Sequence, residues 1–157
     1  MKQIVEIGEI EKLGKQLENK RIVLAGGCFD VVHLGHIIFL EKAKTKGDFL
    51  VVLLESDENI KKNKGQNRPI NNQENRAIFL TKLKMIDYVI KLPKMKNDDD
   101  YLKIIKKIKP TIIAVSKGDS NFKKKKKQAH NVGAKVLIVS KLIPQQSTSQ
   151  IIKKIKI

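Results

Sequence analysis

Short apolar runs alternate with helix-like segments along the whole chain, and this alternation limits the fold more than any other feature. The runs have the length and composition of buried strands, at residues 21–25, 49–55, 88–92, 111–115 and 135–139. Helices are predicted at residues 10–19, 36–45, 72–83, 101–108, 121–131 and 148–156, and the polar stretch 56–70 is predicted to be a loop. Buried strands separated by helices predict an α/β fold, a three-layer α/β/α sandwich with a five-stranded parallel sheet.

The turn after the first predicted strand carries the most informative residues. His33 and His36 lie three positions apart with Gly35 between them, and a pair of glycines precedes the turn. In a parallel α/β sheet such a strand-to-helix junction lies over the carboxyl ends of the strands, where ligands bind. A helix N-terminus offers unpaired N–H groups to an anion, and imidazoles can donate hydrogen bonds to phosphoryl oxygens. The turn therefore predicts a phosphate-handling site.

Two other interpretations of the histidine pair are weaker. Histidines often serve only in packing, and a His-x-x-His pair can bind a metal. The rest of the chain offers only His130 and a single cysteine, Cys28, which lies in the same turn. We therefore predict no protein-ligated metal site.

At these residues the sequence resembles the HxGH nucleotidyltransferases of the cytidylyltransferase type. Three further pieces follow in the family's order: Lys64-Gly65 with Arg68-Pro69-Ile70-Asn71 and Glu74-Asn75-Arg76, then Gly118-Asp119, then Ser147-Thr148-Ser149. The resemblance covers nearly the whole chain and implies a Rossmann-like, doubly wound sheet. It also implies transfer of a nucleoside monophosphate from an NTP to a phosphorylated small molecule, with release of pyrophosphate and with Mg²⁺ accompanying the NTP.

Within the family, the sequence is most similar to the adenylyltransferase half of bifunctional heptose kinase/adenylyltransferases. That similarity favours ATP and a sugar phosphate as substrates. Glycerol-3-phosphate cytidylyltransferases and archaeal FAD synthetases share the framework, so CTP with a polyol phosphate, or FMN as the acceptor, remain alternatives.

The resemblance also assigns roles to individual residues. His33 and His36 would contact the triphosphate and stabilise the pentacoordinate transition state, and Lys64 would hold phosphates of both substrates. Lys62 and Arg76 are further candidates for phosphate binding. The implied nucleotide contacts come from three segments: Gly27, Cys28 and Phe29; Asp119; and Ser147, Thr148 and Ser149.

Simpler roles stay open for several of these residues. The lysines could be solvated, Arg76 could form a structural ion pair, and the hydroxyls at 147–149 could be an ordinary helix cap. We interpret Asp30 as an anchor of the turn, because an attacking phosphate is already anionic and needs no strong base.

The net charge of +17 raises the alternative of a nucleic-acid-binding protein without turnover. Thirty of the 33 cationic residues are lysine, and aromatic residues make up only 4% of the chain. Arginine is preferred for bidentate phosphate and base contacts, and aromatic rings for stacking. Nucleic acid is therefore not the expected partner, and an A/T-rich coding sequence would explain the lysines.

The length of 157 residues suits one domain, 1–157, with a helical lead-in at 1–20. No run approaches the ~20 apolar residues that span a bilayer, and the first residues lack the apolar core of a secretory signal. A single cysteine fits a reducing compartment, so a cytoplasmic location is expected. Relatives of this type often form homodimers, but the sequence does not decide this.

Three positions depart from the resemblance. Ser120 follows Asp119 where an aromatic residue is common, and Ile38 lies where sugar- and polyol-phosphate enzymes often have Lys or Arg. Pro144-Gln145-Gln146 replaces an acidic-glycine pair and an apolar or aromatic residue. These departures predict a changed acceptor pocket.

Overall fold

The computed structural model describes residues 3–141 and 146–155. In this part of the chain six strands form one parallel sheet. The strands are β1 (Ile4–Val5), β2 (Ile22–Gly27), β3 (Phe49–Leu54), β4 (Tyr88–Lys91), β5 (Ile112–Ser116) and β6 (Lys135–Ser140). Their order across the sheet is β1-β4-β3-β2-β5-β6. The predicted parallel sheet is confirmed, but the predicted count of five strands is wrong.

The strand missing from the prediction is β1. It contains only two residues, pairs Ile4 with Val89 and Val5 with Ile90, and lies at the edge of the sheet beside β4. Two residues are too few to show the apolar pattern of a strand, so the structure replaces part of the helical lead-in at 1–20 with an edge strand.

Helices cover both faces of the sheet. They are α1 (Ile10–Gln16), α2 (Leu34–Lys44), α3 (Asp57–Lys64), α4 (Gln73–Thr81), α5 (Asp98–Ile108), α6 (Phe122–Val132) and α7 (Thr148–Ile155). Alternate side chains of β2 enter opposite cores: Leu24 packs with residues of α1, α5 and α6, whereas Val23 packs with residues of α2 and α4. This confirms the three-layer sandwich. The assignment of 1–157 to a single domain stays a prediction.

One predicted element type is wrong. Residues 56–70 were expected to form a loop, yet α3 occupies 57–64. Ser56 caps this helix by accepting a hydrogen bond from the Asn59 amide, and two acidic residues favour its positive end. Only Asn59 and Ile60 of α3 are buried, so the sequence shows no apolar stripe. The predicted last helix ends at Lys156, which lies outside the described residues.

None of the described helices is long and apolar enough to cross a bilayer.

Candidate active site

A cavity of about 320 Å³, here called the central pocket, lies at the carboxyl ends of the strands. Glycines at the end of β2 form part of its wall, together with Ser116 at the end of β5 and Ser140 at the end of β6. The strand order reverses at this point, because β2 pairs with β3 on one side and with β5 on the other. Such a switch point is where open α/β sheets bind ligands.

Most of the predicted site residues line this one pocket although they are far apart in sequence. They are Gly27, Cys28, Phe29, His33, His36, Lys64, Asp119, Ser147, Thr148 and Ser149. Lys62 is exposed and does not line the pocket, and Arg76 lies behind the turn. The fold thus brings together ten of the twelve predicted residues, and their roles stay predictions.

The two histidines are stacked at the start of α2. His33 is the N-cap residue and His36 lies in the first turn. Their ring centroids are 3.9 Å apart with an interplanar angle of 29°, and the ring of Phe29 lies 5.1 Å from His36 on a tilted plane. Two neighbouring rings therefore restrict the rotation of His36.

A backbone hydrogen bond also defines the protonation of His36. The His33 amide donates to Nδ1 of His36 at 3.3 Å, so the proton of the neutral ring lies on Nε2. Burial, with a smaller contribution from His33, lowers the pKa of His36 to about 4. At neutral pH His36 is thus an uncharged ring with an N–H donor. Burial also lowers the pKa of His33.

Gly35 is required by close packing in the turn. A Cβ atom at this position would lie 2.8 Å from Cε1 of His33 and 3.3 Å from the carbonyl oxygen of Gln146. A side chain would therefore separate the stacked histidine from the segment before α7. The lack of a side chain at Gly35 thus permits the close approach of these neighbouring groups.

Asp30 anchors the turn, as the sequence analysis proposed. Its side chain is fully buried and forms an ion pair with Nε of Arg68 at 2.9 Å. The carboxylate also accepts hydrogen bonds from the amides of Ile70 and Asn71, at 2.7 and 2.8 Å. The turn that carries the histidines is thereby fixed to the segment before α4.

The position of Arg76 favours the structural alternative over phosphate binding. Its guanidinium group is fully buried and donates to the carbonyl oxygens of Cys28, Glu55 and Asn71 at 2.8–3.0 Å. It also forms an ion pair of 2.6 Å with Asp57. Arg76 therefore supports the pocket from behind by holding the backbone after β2 and β3.

Helix α7 brings hydroxyl groups to the opposite side of the pocket. Ser147 accepts a hydrogen bond from the Gln150 amide at 3.1 Å, which is the geometry of a helix cap. Thr148 donates to the carbonyl oxygen of Val31 at 3.0 Å, which ties α7 to the histidine turn. The N-termini of α2 and α7 therefore face one space, an arrangement that suits an anion.

Three cationic residues of the pocket, Arg68, Lys125 and Lys141, were not among the predicted site residues. Arg68 lies at the pocket wall with Nη1 3.5 Å from the Ser149 hydroxyl. Lys125 forms a 2.7 Å ion pair with Asp119, whose other oxygen accepts from the Asn121 amide. Arg68 belongs to the motif Arg68-Pro69-Ile70-Asn71, from which its place in the site could have been predicted. Lys125 lies in a run of five lysines, where sequence gives no means of choosing one.

Both a family model and curated proteins match most of this chain. Residues 24–154 match the family model described as cytidylyltransferase-like. The protein named bifunctional protein HldE from Aliarcobacter butzleri is 39% identical over 150 residues, and its counterpart from Campylobacter jejuni subsp. doylei is 41% identical over 158. These matches cover 94% and 99% of the chain, but only 30% and 32% of the relatives. The chain therefore spans about a third of the length of these curated relatives.

Solved structures show the same fold. A lipopolysaccharide core biosynthesis protein from Thermoplasma volcanium matches with a TM-score of 0.63 and 28% identity, over 80% of this chain and 98% of that protein. A pantoate-beta-alanine ligase from Francisella tularensis matches with a TM-score of 0.67 over 92% of this chain and 69% of its own. Its identity of 14% supports likeness of fold only.

Proposed function

The chain belongs to the cytidylyltransferase-like family of nucleotidyltransferases, and from this premise we propose that it transfers a nucleoside monophosphate from an NTP to a phosphorylated small molecule. ATP and a sugar phosphate are the proposed substrates, and pyrophosphate is the second product. The observation that carries the proposal is the convergence of Gly27, His36 and Thr148 around the central pocket. The cytoplasm is the proposed location, because the chain has a single cysteine.

The proposed reaction is an in-line displacement at the α-phosphorus. An oxygen of the acceptor phosphate forms a bond to the α-phosphorus as the bond to the bridging oxygen of the β-phosphate breaks. The electron pair of that bond leaves with pyrophosphate. Negative charge accumulates on the phosphoryl oxygens in the transition state, so the protein must supply positioned donors rather than a nucleophile.

The geometry supports His36 as such a donor. Its Nε2 carries the proton because Nδ1 accepts from the His33 amide. The adjacent rings of Phe29 and His33 restrict its orientation, so little reorganisation is needed when charge develops. Its low pKa means that a neutral imidazole performs this role at physiological pH.

The donor set of the pocket suits phosphate oxygens. Lys64 and Arg68 are cationic, and the hydroxyls of Ser147 and Ser149 lie at the start of α7. These groups do not suit a bare cation, so we propose that Mg²⁺ enters as the Mg·NTP complex. The metal would supply charge neutralisation on the triphosphate, and the residues of the central pocket would hold the remaining oxygens.

A pyrophosphate-release screen tests the function. Purified protein is assayed with ATP, CTP, GTP and UTP, each crossed with heptose 1-phosphate, glycerol phosphates, FMN and phosphocholine, in the presence of Mg²⁺ and then of EDTA. We expect turnover with ATP and a sugar phosphate that EDTA abolishes. Absence of pyrophosphate release, together with nucleic-acid binding that weakens steeply with salt, would instead identify a polyanion-binding protein.

A further inference from the structure

A second cavity, of about 460 Å³, lies on the other side of the end of β2. It shares Gly26, Gly27, Cys28, Lys64 and Lys125 with the central pocket. The ends of β3 and β4 contribute to its wall instead of those of β5 and β6. A molecule bound in this second cavity could therefore extend a phosphate past Lys64 towards the central pocket.

The second cavity has an apolar floor and polar sides. Leu24, Leu53 and Ile113 form part of the floor. Besides three lysines, the polar groups come from α3, α5, α6, the two residues before α6 and the residue after β3. They are Asn63, Asp98, Tyr101, Gln128, Ser120, Asn121 and Glu55. Amide and hydroxyl side chains both donate and accept hydrogen bonds, as recognition of hydroxyl groups requires.

Glu55 is the most tightly positioned of these groups. Its amide donates to the carbonyl oxygen of Gly27 at 3.1 Å, and its own carbonyl oxygen accepts from Arg76 at 3.0 Å. The Tyr101 hydroxyl lies 2.9 and 3.0 Å from the two carboxylate oxygens. The backbone and the side chain of Glu55 are thus both fixed at the cavity wall.

The carboxylate of Glu55 is not part of an ion pair, although the charges of Lys125 and Arg76 act on it from a longer distance. Within residues 3–141 and 146–155, no lysine or arginine forms an ion pair with it. Burial raises the pKa of this carboxyl group, which means that its charged form is held there at a cost. One hydroxyl proton occupies only a fraction of the lone pairs of two oxygens, so acceptor capacity remains for a ligand.

Three kinds of acceptor could use a carboxylate beside a tyrosine. A quaternary ammonium group would be attracted to both, but the cavity has three lysines, Lys64, Lys124 and Lys125, against two carboxylates, Glu55 and Asp98, and their net charge would repel it. An oxidised flavin ring has a single N–H donor, so it would engage only one oxygen of the carboxylate. Neighbouring hydroxyl groups match best, because two of them can donate to the two oxygens of one carboxylate.

We propose that the second cavity binds the polyhydroxylated part of the acceptor, and that Glu55, positioned by Tyr101, selects acceptors with neighbouring hydroxyl groups. This inference rests on the proposed nucleotidyl transfer. It assigns Glu55 to binding of the acceptor and gives it no part in the chemical step.

The test is acceptor kinetics at saturating Mg·NTP. A hexose 1-phosphate and glycerol 3-phosphate carry neighbouring hydroxyls, whereas ethyl phosphate and phosphocholine carry none. We expect Glu55→Gln to raise KM for the hydroxylated acceptors about tenfold, as for loss of a charged hydrogen-bond partner. The value of kcat, the KM for the NTP and the kinetics with ethyl phosphate should change less than about twofold.

Two further variants separate recognition from structure. Glutamine can still accept the Tyr101 hydrogen bond, so a purely structural role would leave KM unchanged in Glu55→Gln. Tyr101→Phe leaves the carboxylate charged but free to move, and should raise the same KM about threefold without changing kcat. Glu58→Gln makes the same chemical change at an exposed residue three positions along the chain and should have no effect.

The outcomes distinguish the two proposals. An unchanged KM in Glu55→Gln, or a wild-type preference for ethyl phosphate or phosphocholine, would overturn the inference and leave nucleotidyl transfer intact. If no acceptor supports turnover, the proposed function fails. Calorimetry with hexose 1-phosphate and glycerol 3-phosphate, at saturating Mg²⁺ and a non-hydrolysable NTP analogue, then decides the inference. Equal affinities for wild type and Glu55→Gln, or no binding to either, would overturn it.

Discussion

Two of the walls of the central pocket are built in opposite ways. The fixed wall is the turn at 28–36, which Asp30, Arg68 and Arg76 hold through buried ion pairs and hydrogen bonds. The open wall is the end of α3, where Lys64 lines the pocket and the side chains of the neighbouring Lys61 and Lys62 are exposed beside it. In the described part of the chain, these lysine side chains have no hydrogen-bond or ion-pair partner.

The difference separates two requirements of the proposed reaction. Donors that stabilise a transition state are effective when they are held in place before charge develops, as His36 is. A cation that only attracts phosphates from solution does not have to be held in place. A lysine side chain without an ion-pair partner can therefore contact either substrate. Substitutions on each wall, and the dependence of stability on pH, test whether the two walls differ in this way.

Arg76→Met should destabilise the protein by about 3–5 kcal/mol, because it leaves buried carbonyl oxygens and Asp57 without their partner. Urea unfolding measures this free energy. The matched control is Arg21→Met, which removes an exposed arginine paired with Asp48 and should leave the free energy of unfolding close to that of wild type. Similar losses in both variants would show that the fixed wall does not depend on Arg76.

His36→Ala should lower kcat by at least about 100-fold, or about 2.7 kcal/mol, as for removal of one transition-state donor. Pyrophosphate release measures the rate, and circular dichroism checks that the variant is folded. His130→Ala replaces an exposed histidine of α6 and should keep full activity. Undiminished turnover by a folded His36→Ala protein would contradict its assigned role.

The low pKa of His36 predicts a change of stability with pH. The unfolded chain binds a proton at this residue near pH 6.5, whereas the folded protein does so only near pH 4. Between these values the unfolded state holds more protons, so the free energy of unfolding falls as the pH falls.

Between pH 6.5 and pH 4 the free energy of unfolding should fall by about 2 kcal/mol, because His36 is partly exposed and solvent screens part of the effect. Urea unfolding between pH 7 and pH 4, compared for wild type and His36→Asn, isolates it from the titration of other groups. The variant should lose less stability on acidification. Parallel curves would show that the folded turn accepts a proton on His36 as readily as the unfolded chain does.

Lys64→Ala should produce the smallest of these effects, a rise of about tenfold in KM for the NTP from the loss of one phosphate-binding cation. Lys62→Ala removes a neighbouring exposed lysine that lines neither cavity, and its KM should stay within about twofold of wild type. Equal effects would mean that the open wall attracts substrate only through its total charge.

The residues that line the central pocket could be predicted from the sequence better than the residues that hold its backbone in place. Buried strands and a glycine-rich turn define the carboxyl edge of the sheet, so His33 and His36 could be placed there. The function of Arg76 could not be predicted, because a helical arginine beside the site can face a phosphate or a backbone carbonyl. Only tertiary contacts decide between them, and here they favour the backbone.

Strand β1 and helix α3 were not predicted because their sequences show little of the expected apolar pattern. Strand β1 is too short to show a period, and α3 has no apolar face, although Ser56 followed by two acidic residues was a usable sign of a helix start. Glu55 could also have been predicted as a site residue, because it is an acidic residue directly after a buried strand at the ligand-binding edge. Its pairing with Tyr101, 46 residues away, required the structure.

The double glycine at the end of β2 has a consequence for protein engineering. Gly26 and Gly27 form a partition that borders both cavities, and a Cβ on Gly27 would lie 2.9 Å from the ring of Phe29, so position 27 must stay without a side chain. Apart from Cys28, Lys64 and Lys125, which line both cavities, the groups on either side of the partition belong to different parts of the chain. Retargeting the enzyme to new acceptors should therefore be possible by diversifying β3, α5 and α6, while the histidine turn keeps its native sequence.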